Sequence, residues 1–142
     1  MLKSELLLGT GLIVANAIFH VSCLVWLAGF IRRINGTTSI FPSQNRSILL
    51  LGIAVFGVIA IHTVSAWAWA TVYLMLGEFS DLRQALYFSV VTSTTLGYGD
   101  ITLSDKWQLL GSFEAMGGLV LFGASTAFLL GLTRSWFVHL DE

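Results

Sequence analysis

Charged residues are scarce in this chain of 142 residues, of which only 11% are charged. A soluble domain carries about a quarter charged residues. The deficit, with 56% apolar residues and a mean hydropathy of +0.83, excludes an ordinary soluble fold. The net charge of −1 offers no basic surface to a nucleic acid. We therefore expect a membrane protein whose surroundings are lipid and which has no nucleic-acid partner.

Cysteine and proline each occur once. Cys23 has no second cysteine with which to form a disulfide inside the chain, so it says nothing about the redox compartment. With proline confined to Pro42, the rest of the chain favours long helices. No metal-ligand cluster and no nucleophile–base pair is visible, since Glu114 and two distant histidines do not make one. We expect no enzyme, no organic cofactor and no small-molecule substrate.

Three apolar runs are long enough to cross a bilayer, which takes about 20 helical residues. They cover residues 6–31, 48–76 and 107–133. A cleaved signal peptide is the alternative for the first run, with Ala15-Asn16-Ala17 as the cleavage site, but the apolar run continues well past Ala17. The first run contains no arginine, which excludes a voltage sensor there. We expect it to brace the outside of the second span.

A polar segment precedes the second run, and the opposite end of that run is rich in aromatic residues. Residues 32–47 contain three arginines and no acidic residue, and they are predicted to form a loop. The other end carries Trp67, Trp69 and Tyr73. Such rings favour the headgroup level, so we expect this end to meet a membrane interface. A turn is predicted over residues 77–80.

Residues 92–100, Thr-Ser-Thr-Thr-Leu-Gly-Tyr-Gly-Asp, are rich in hydroxyls and glycine and lie between the second and third runs. Gly97 and Gly99 alternate with bulky residues, which suits a backbone with positive φ at every second position. Such a strand can turn successive carbonyl oxygens to one side. The preceding helix, predicted over residues 81–94 with Ser80 or Asp81 as N-cap, is too short to span, so we expect it to re-enter the membrane.

Residues 95–100, Thr-Leu-Gly-Tyr-Gly-Asp, closely resemble the signature of potassium-selective channels, and residues 48–134 resemble the pore module of the bacterial two-transmembrane members. The resemblance implies an all-α membrane protein with three transmembrane helices, a re-entrant pore helix and a selectivity filter. Four identical chains would surround a central pore that conducts K⁺ passively. The chain would then comprise an N-terminal helix and cytoplasmic linker (1–47), the pore module (48–134) and a cytoplasmic tail (135–142).

The resemblance also implies which residues touch the transported ion. Carbonyl rings can replace the hydration shell of K⁺. The filter residues are Thr95, Leu96, Gly97, Tyr98 and Gly99. The first four would supply carbonyl ligands, with the Thr95 hydroxyl in addition, and Asp100 would lie at the outer mouth. Thr94 would support the filter, and the Tyr98 ring would pack on Tyr87 and Phe88. The C-terminus of the short helix would direct its negative dipole end at the cavity.

Two positions depart from the family pattern. Leu96 replaces the usual valine or isoleucine and lacks β-branching, which puts the stiffness of the filter in doubt. Val91 stands where some relatives have a glutamate behind the filter. Glu114, an acid within the third span, is the candidate substitute and would support the filter from behind. The alternative is a protonated, passively satisfied side chain at a subunit contact.

The inner half of the third span is expected to line the cavity. Aligning Gly118 and Gly123 with the paired glycines of the family puts four residues toward the pore, on one helical face: Leu119, Phe122, Thr126 and Leu130. Gly118 (or Gly117) is the candidate gating hinge, with close helix packing as the equal alternative. Hydrophobic closure by Phe122 or Leu130 could gate the pore.

His20 and His62 fall near the centres of their spans. Polar groups at that depth hydrogen-bond between helices, which is the favoured role, and proton sensing is the alternative. Arg32, Arg33, Arg46 and Arg134 outnumber the cations of the opposite side by four to three, which only weakly favours a cytoplasmic linker and tail. The resemblance implies the same orientation, because the filter of potassium channels enters from outside. We expect a multi-pass protein of the cell (inner) membrane with its N-terminus outside. The competing functions are a weakly selective cation channel and a non-conducting membrane interaction protein.

Overall fold

The structure, a computed structural model, describes residues 2–37 and 43–137. These ranges contain four helices, α1 (Leu2–Thr37), α2 (Ser43–Met75), α3 (Leu82–Ser93) and α4 (Gln108–Phe137), and no strand. By length and composition α1, α2 and α4 could each cross a membrane. The prediction of an all-helical chain with three such helices is therefore confirmed.

Helix α1 lies alongside α4 and runs in the same direction. The ring of Phe113 in α4 fits against Gly9, where a Cβ would stand 2.5 Å from the ring. Further along both helices, His20 hydrogen-bonds to Ser125 across 2.9 Å. The sequence predicts that α1 braces the second span. In the structure α1 also has an extended contact with α4, the third span, which was not predicted.

Helix α2 runs against α1. From His20 to Leu27 along α1, the partners in α2 run backwards, from His62 to Gly57. The methyl groups of Leu27 sit over Gly57, within 2.8 Å of where a Cβ would be. In lipid, such close packing of a large side chain onto a small one is a main source of helix association, because the apolar environment gives little hydrophobic driving force.

The predicted loop over residues 32–47 is wrong for most of its length. Helix α1 continues through Arg32 and Arg33 to Thr37, and α2 already begins at Ser43. Arginine is a good helix former, and no proline occurs before Pro42 to stop the first helix. Residues 38–42, with Pro42, and residues 138–142 of the predicted tail lie outside the described residues.

An aromatic core joins α2 and α3 at the end of α2 that precedes the turn. Tyr73 is fully buried there, with ring centroids 5.2 Å from Phe88 and 6.2 Å from Phe79, both edge to face. That this end of α2 meets a membrane interface stays a prediction, but two of the three rings behind it are buried in protein. Trp69 and Tyr73 are 4% and 0% exposed, while Trp67 is 46% exposed. The buried pair faces protein because α3 packs on that side of α2.

The turn between α2 and α3 is fixed by its glycine. Gly77 adopts φ 75°, its N–H donates to the Leu74 carbonyl, and the N–H of Glu78 donates to that of Tyr73. This pair of bonds is a Schellman motif, which closes a helix with a left-handed residue. The predicted turn is therefore confirmed. Asp81 is the N-cap of α3, although its side chain makes no capping hydrogen bond.

Candidate functional site

After α3 the chain reverses and runs back beside that helix. Phe88 lies against Gly111, and the end of α3 at Ser93 lies against Gly118, so α3 runs in the direction of α4. Residues 94–100 then return, and the hydroxyl of Tyr87 donates a 2.7 Å hydrogen bond to Asp100. The segment 95–100 thus spans the length between the end of α3 and its middle.

The backbone of this segment alternates in hand. Gly97 and Gly99 have φ of 57° and 72°, which confirms the predicted positive φ at both glycines. Thr95 also has a positive φ, 60°, the only non-glycine residue among those described to do so. A threonine in this conformation is strained and needs a surrounding structure that holds it.

The N–H groups at the start of the segment bond to the last turn of α3. The Val91 carbonyl accepts hydrogen bonds from the N–H groups of Leu96 and Gly97, at 3.0 and 3.2 Å. By contrast, the carbonyl oxygens of residues 95–99 accept no hydrogen bond from any residue that the structure describes. The same residues are exposed in the single chain. The segment therefore carries five carbonyl oxygens without a hydrogen-bond partner among the described residues, and carbonyl oxygens are ligands suited to a hard cation.

A family model described as "Ion channel" matches residues 48–134, more than half of the chain. The chain belongs to the ion channel family. This finding confirms the family resemblance of residues 48–134, and together with the three long apolar helices it makes the protein a multi-pass membrane protein of transporter type. Comparison with curated proteins and with solved structures gave no match. Within the described ranges, no group of three or more histidine, cysteine, aspartate or glutamate side chains could hold a metal ion.

Two side chains of residues 95–100 are left largely uncovered by their own chain. Tyr98 is 67% and Leu96 55% exposed. Phe88 instead packs into the aromatic core, so the expected packing of Tyr98 on Phe88 is not found within the described part of one chain. Tyr87 binds Asp100, and that hydrogen bond, followed by desolvation, raises the pKa of the Tyr87 phenol. The phenol therefore stays a donor to Asp100 through neutral pH.

Two smaller contacts hold the ends of the segment. The Thr94 hydroxyl donates to the Val90 carbonyl at 2.7 Å, which caps the end of α3. Beyond Asp100, the carboxylate of Glu78 accepts hydrogen bonds from the N–H and the hydroxyl of Ser104, at 2.7 and 2.8 Å. Glu78 was not among the predicted site residues. Its partner is distant in sequence, and no local pattern marks the pair.

Glu114 lies inside a single chain, between three helices, and is 1% exposed. Its carboxyl oxygens are 2.6 Å from the hydroxyl of Tyr73 in α2 and 2.5 Å from that of Ser89 in α3. The alternative interpretation placed Glu114 at a subunit contact, and it is therefore wrong about where this side chain lies. Tyr73 and Ser89 were both missed as site residues in the sequence, although Ser89 falls in the short helix and a buried acid requires such partners.

The cavity and gate residues assigned to α4 fall into two groups. Gly118 touches backbone, because a Cβ there would stand 2.1 Å from the Ser93 carbonyl oxygen. This contact supports the packing alternative for Gly118. The other assigned residues are exposed in the single chain, although the Phe122 ring also stacks on His62 of α2; they are Leu119, Phe122, Thr126 and Leu130.

Proposed function

We propose that this ion channel conducts K⁺ selectively and passively through a pore formed by four identical chains. The observation that carries the proposal is that the carbonyl oxygens of residues 95–99, on an alternating backbone, have no hydrogen-bond partner among the described residues. A bare carbonyl in lipid costs several kcal/mol, so these groups need water, ions or neighbouring protein. Facing a pore satisfies them, and K⁺ is then the transported substrate.

A single strand offers oxygens from one side only, so the proposal needs the tetramer. In it, the carbonyls of residues 95–98 and the Thr95 hydroxyl are the ligands, Gly99 completes the filter, and Asp100 stands at the outer mouth. The side chains of Leu96 and Tyr98 are exposed in the single chain. This exposure supports the same arrangement, because neighbouring chains would cover them. Leu119, Phe122, Thr126 and Leu130 would face the cavity below.

The course of α3 supports its role as a re-entrant pore helix. It has only 12 residues and ends beside Gly118, part-way along α4, before the chain returns. Its C-terminal carbonyl groups carry the negative end of the helix dipole. Directed at a central cavity, that end would favour a cation far from bulk water. The proposed orientation, with the linker and tail in the cytoplasm of a cell membrane, places the filter at the outer side.

Leu96 favours a second candidate, a weakly selective cation channel. Its side chain lacks β-branching and is 55% exposed in the single chain, so one ligand position depends on neighbours for its stiffness. The third candidate, a membrane interaction protein that passes no ions, leaves the carbonyls of residues 95–99 without a partner.

Flux from purified protein in liposomes tests the proposal. We expect K⁺ flux that barium blocks, and reversal potentials in mixed K⁺ and Na⁺ that follow K⁺. Gly97→Ala should abolish the flux, because alanine is strained at a φ of 57°. Gly52→Ala is the matched control, since no atom lies within 4 Å of a Cβ at that position. Equal K⁺ and Na⁺ permeability would favour the weakly selective channel, and tetramers or monomers without flux would contradict conduction.

A further inference from the structure

The carboxyl group of Glu114 has hydroxyl groups as its partners and no cation. Tyr73 and Ser89, its two partners, are both fully buried, and Glu114 itself is 1% exposed. Among the described side chains, those of residues 3–36 and 45–134, none forms an ion pair with Glu114. An ionised carboxylate in such a place would be an uncompensated buried charge, which is strongly destabilising.

The hydrogen bonds of Ser89 give a second reason, independent of burial, to regard Glu114 as neutral. The Ser89 hydroxyl oxygen lies 2.5 Å from Glu114 and 3.0 Å from the backbone carbonyl oxygen of Ala66 in α2. A serine hydroxyl has one proton, and a carbonyl can only accept. With an ionised Glu114, the single Ser89 proton would have to serve both acceptors in a weaker, bifurcated hydrogen bond.

A neutral Glu114 gives every contact one proton. The carboxylic acid proton lies between Oε1 and the Ser89 oxygen, the Ser89 proton goes to the Ala66 carbonyl, and Tyr73 donates to Oε2. The chain of hydrogen bonds then starts and ends in α2 and passes through α4 and α3. Fully satisfied buried networks of this kind fix one arrangement of the groups that form them.

We propose that Glu114 is a neutral carboxylic acid that fixes the position of α3, with Tyr73 and Ser89 as positioning residues for the filter. Ser89 precedes Val91 by two residues on α3, and the Val91 carbonyl holds the N–H groups of Leu96 and Gly97. A shift of α3 at Ser89 therefore moves the anchor of the filter backbone. The statement about the filter rests on the proposed conduction, whereas the statement about the proton does not.

Substitutions at Glu114 and Ser89 test the positioning role in liposome flux. The amide of Glu114→Gln keeps one donor and one acceptor where the acid has them, so we expect K⁺ over Na⁺ permeability within about twofold of wild type. Glu114→Leu and Ser89→Ala leave buried groups unpaired, and the conducting fraction should fall on the order of tenfold. Thr71→Val is the control, because that exposed hydroxyl bonds only to its own helix, at Trp67.

Infrared spectra of the same proteins test the protonation state. At neutral pH, wild type should show the C=O stretch of a protonated carboxylic acid that is missing in Glu114→Gln. A carboxylate band in its place would overturn the neutral acid. Normal permeation in both Glu114→Leu and Ser89→Ala, with tetramers intact by size-exclusion chromatography, would overturn the positioning role. If Ser89→Ala fails to assemble, the comparison of Gln with Leu at position 114 decides. A wild type without flux would refute the proposed function, while the infrared result would still decide the proton.

Discussion

At the scale of single residues, the backbone of Ser93 leaves no room for a side chain at position 118. The Ser93 carbonyl belongs to the last turn of α3, directly before the segment that carries the free carbonyl oxygens. Its contact with Gly118 is therefore the point where α4 touches the base of the proposed filter. A rigid backbone atom cannot move aside as the end of a flexible side chain can, so the glycine is required by shape.

We predict that Gly118→Ala strongly reduces K⁺ flux, because a Cβ would stand 2.1 Å from the Ser93 carbonyl oxygen and must displace α3 or α4. Overpacking of this kind typically costs about 1–3 kcal/mol. Gly123→Ala, on the same helix, meets no atom within 4 Å and should keep wild-type flux. Liposome flux with a check of tetramer content measures both. Equal flux from the two variants would show that the contact with Ser93 does not matter.

For single residues, the sequence predicts the local backbone conformation but not the partners that other helices supply. Positive φ at Gly97 and Gly99 could be predicted, because the requirement is local and glycine meets it. The buried position of Glu114 could be suspected from its place in an apolar run. Its partners could not, because Tyr73 and Ser89 belong to other helices, and the helical pattern of each gives no register against α4. Tyr73 also belongs to an aromatic run that equally suits a membrane interface.

At the scale of helices, a polar cluster joins all three long helices at mid-length. The Nε2 atoms of His20 in α1 and His62 in α2 lie 2.9 and 3.0 Å from the hydroxyl of Ser125 in α4. The His62 ring also stacks on Phe122, with centroids 4.1 Å apart. His20 and Ser125 are buried, at 0% and 2% exposure. The geometry supports the role that the sequence favoured, hydrogen bonding between helices.

We predict that His20→Ala and Ser125→Ala each lower the thermal stability of the purified channel, by about 0.6–1.7 kcal/mol for the hydrogen bond alone. The double variant should lose less than the sum, since both changes remove one shared contact. Thr63→Val serves as control, because its exposed hydroxyl bonds only to Ile59 of its own helix. Additive losses would contradict a linking role.

The alternative role, proton sensing, is tested by K⁺ flux measured over a pH range around a histidine pKa of ~6.5. Proton sensing by His62 requires that His62→Ala lose a pH response that the unaltered channel shows.

Helix identity was easier to predict than helix ends. The three long helices follow from apolar runs of the right length, and the short helix α3 follows from its N-cap and its polar flanks. The loop predicted over residues 32–47 misplaces the ends of α1 and α2, because Arg32, Arg33 and Arg46 belong to these helices. Helices do not end where the hydrocarbon ends, since polar side chains beyond it are solvated equally well on a helix.

At the scale of the whole molecule, the directions of the helices decide how the chain relates to the membrane. Since α1 and α4 run together and α2 runs against them, the beginnings of α1 and α4 share one side. The segment 95–100 lies near the beginning of α4, and the arginines at the ends of α1 and α4 lie on the other side. The family and the fold together thus leave one binary question, which side faces the cytoplasm.

We predict that the arginine side is cytoplasmic. Arg32, Arg33 and Arg46 flank the connection between α1 and α2, and Arg134 lies near the end of α4, so four cations oppose three on the other side. Fluorescent protein fused after residue 142 should therefore fluoresce, and alkaline phosphatase at the same place should be inactive, because the first folds in the cytoplasm and the second outside it. Neutralising Arg32 and Arg33 leaves two cations against three, so the count no longer favours this orientation and mixed orientations should appear. An active phosphatase fusion of the unaltered chain would invert the topology and place the proposed filter at the cytoplasmic side.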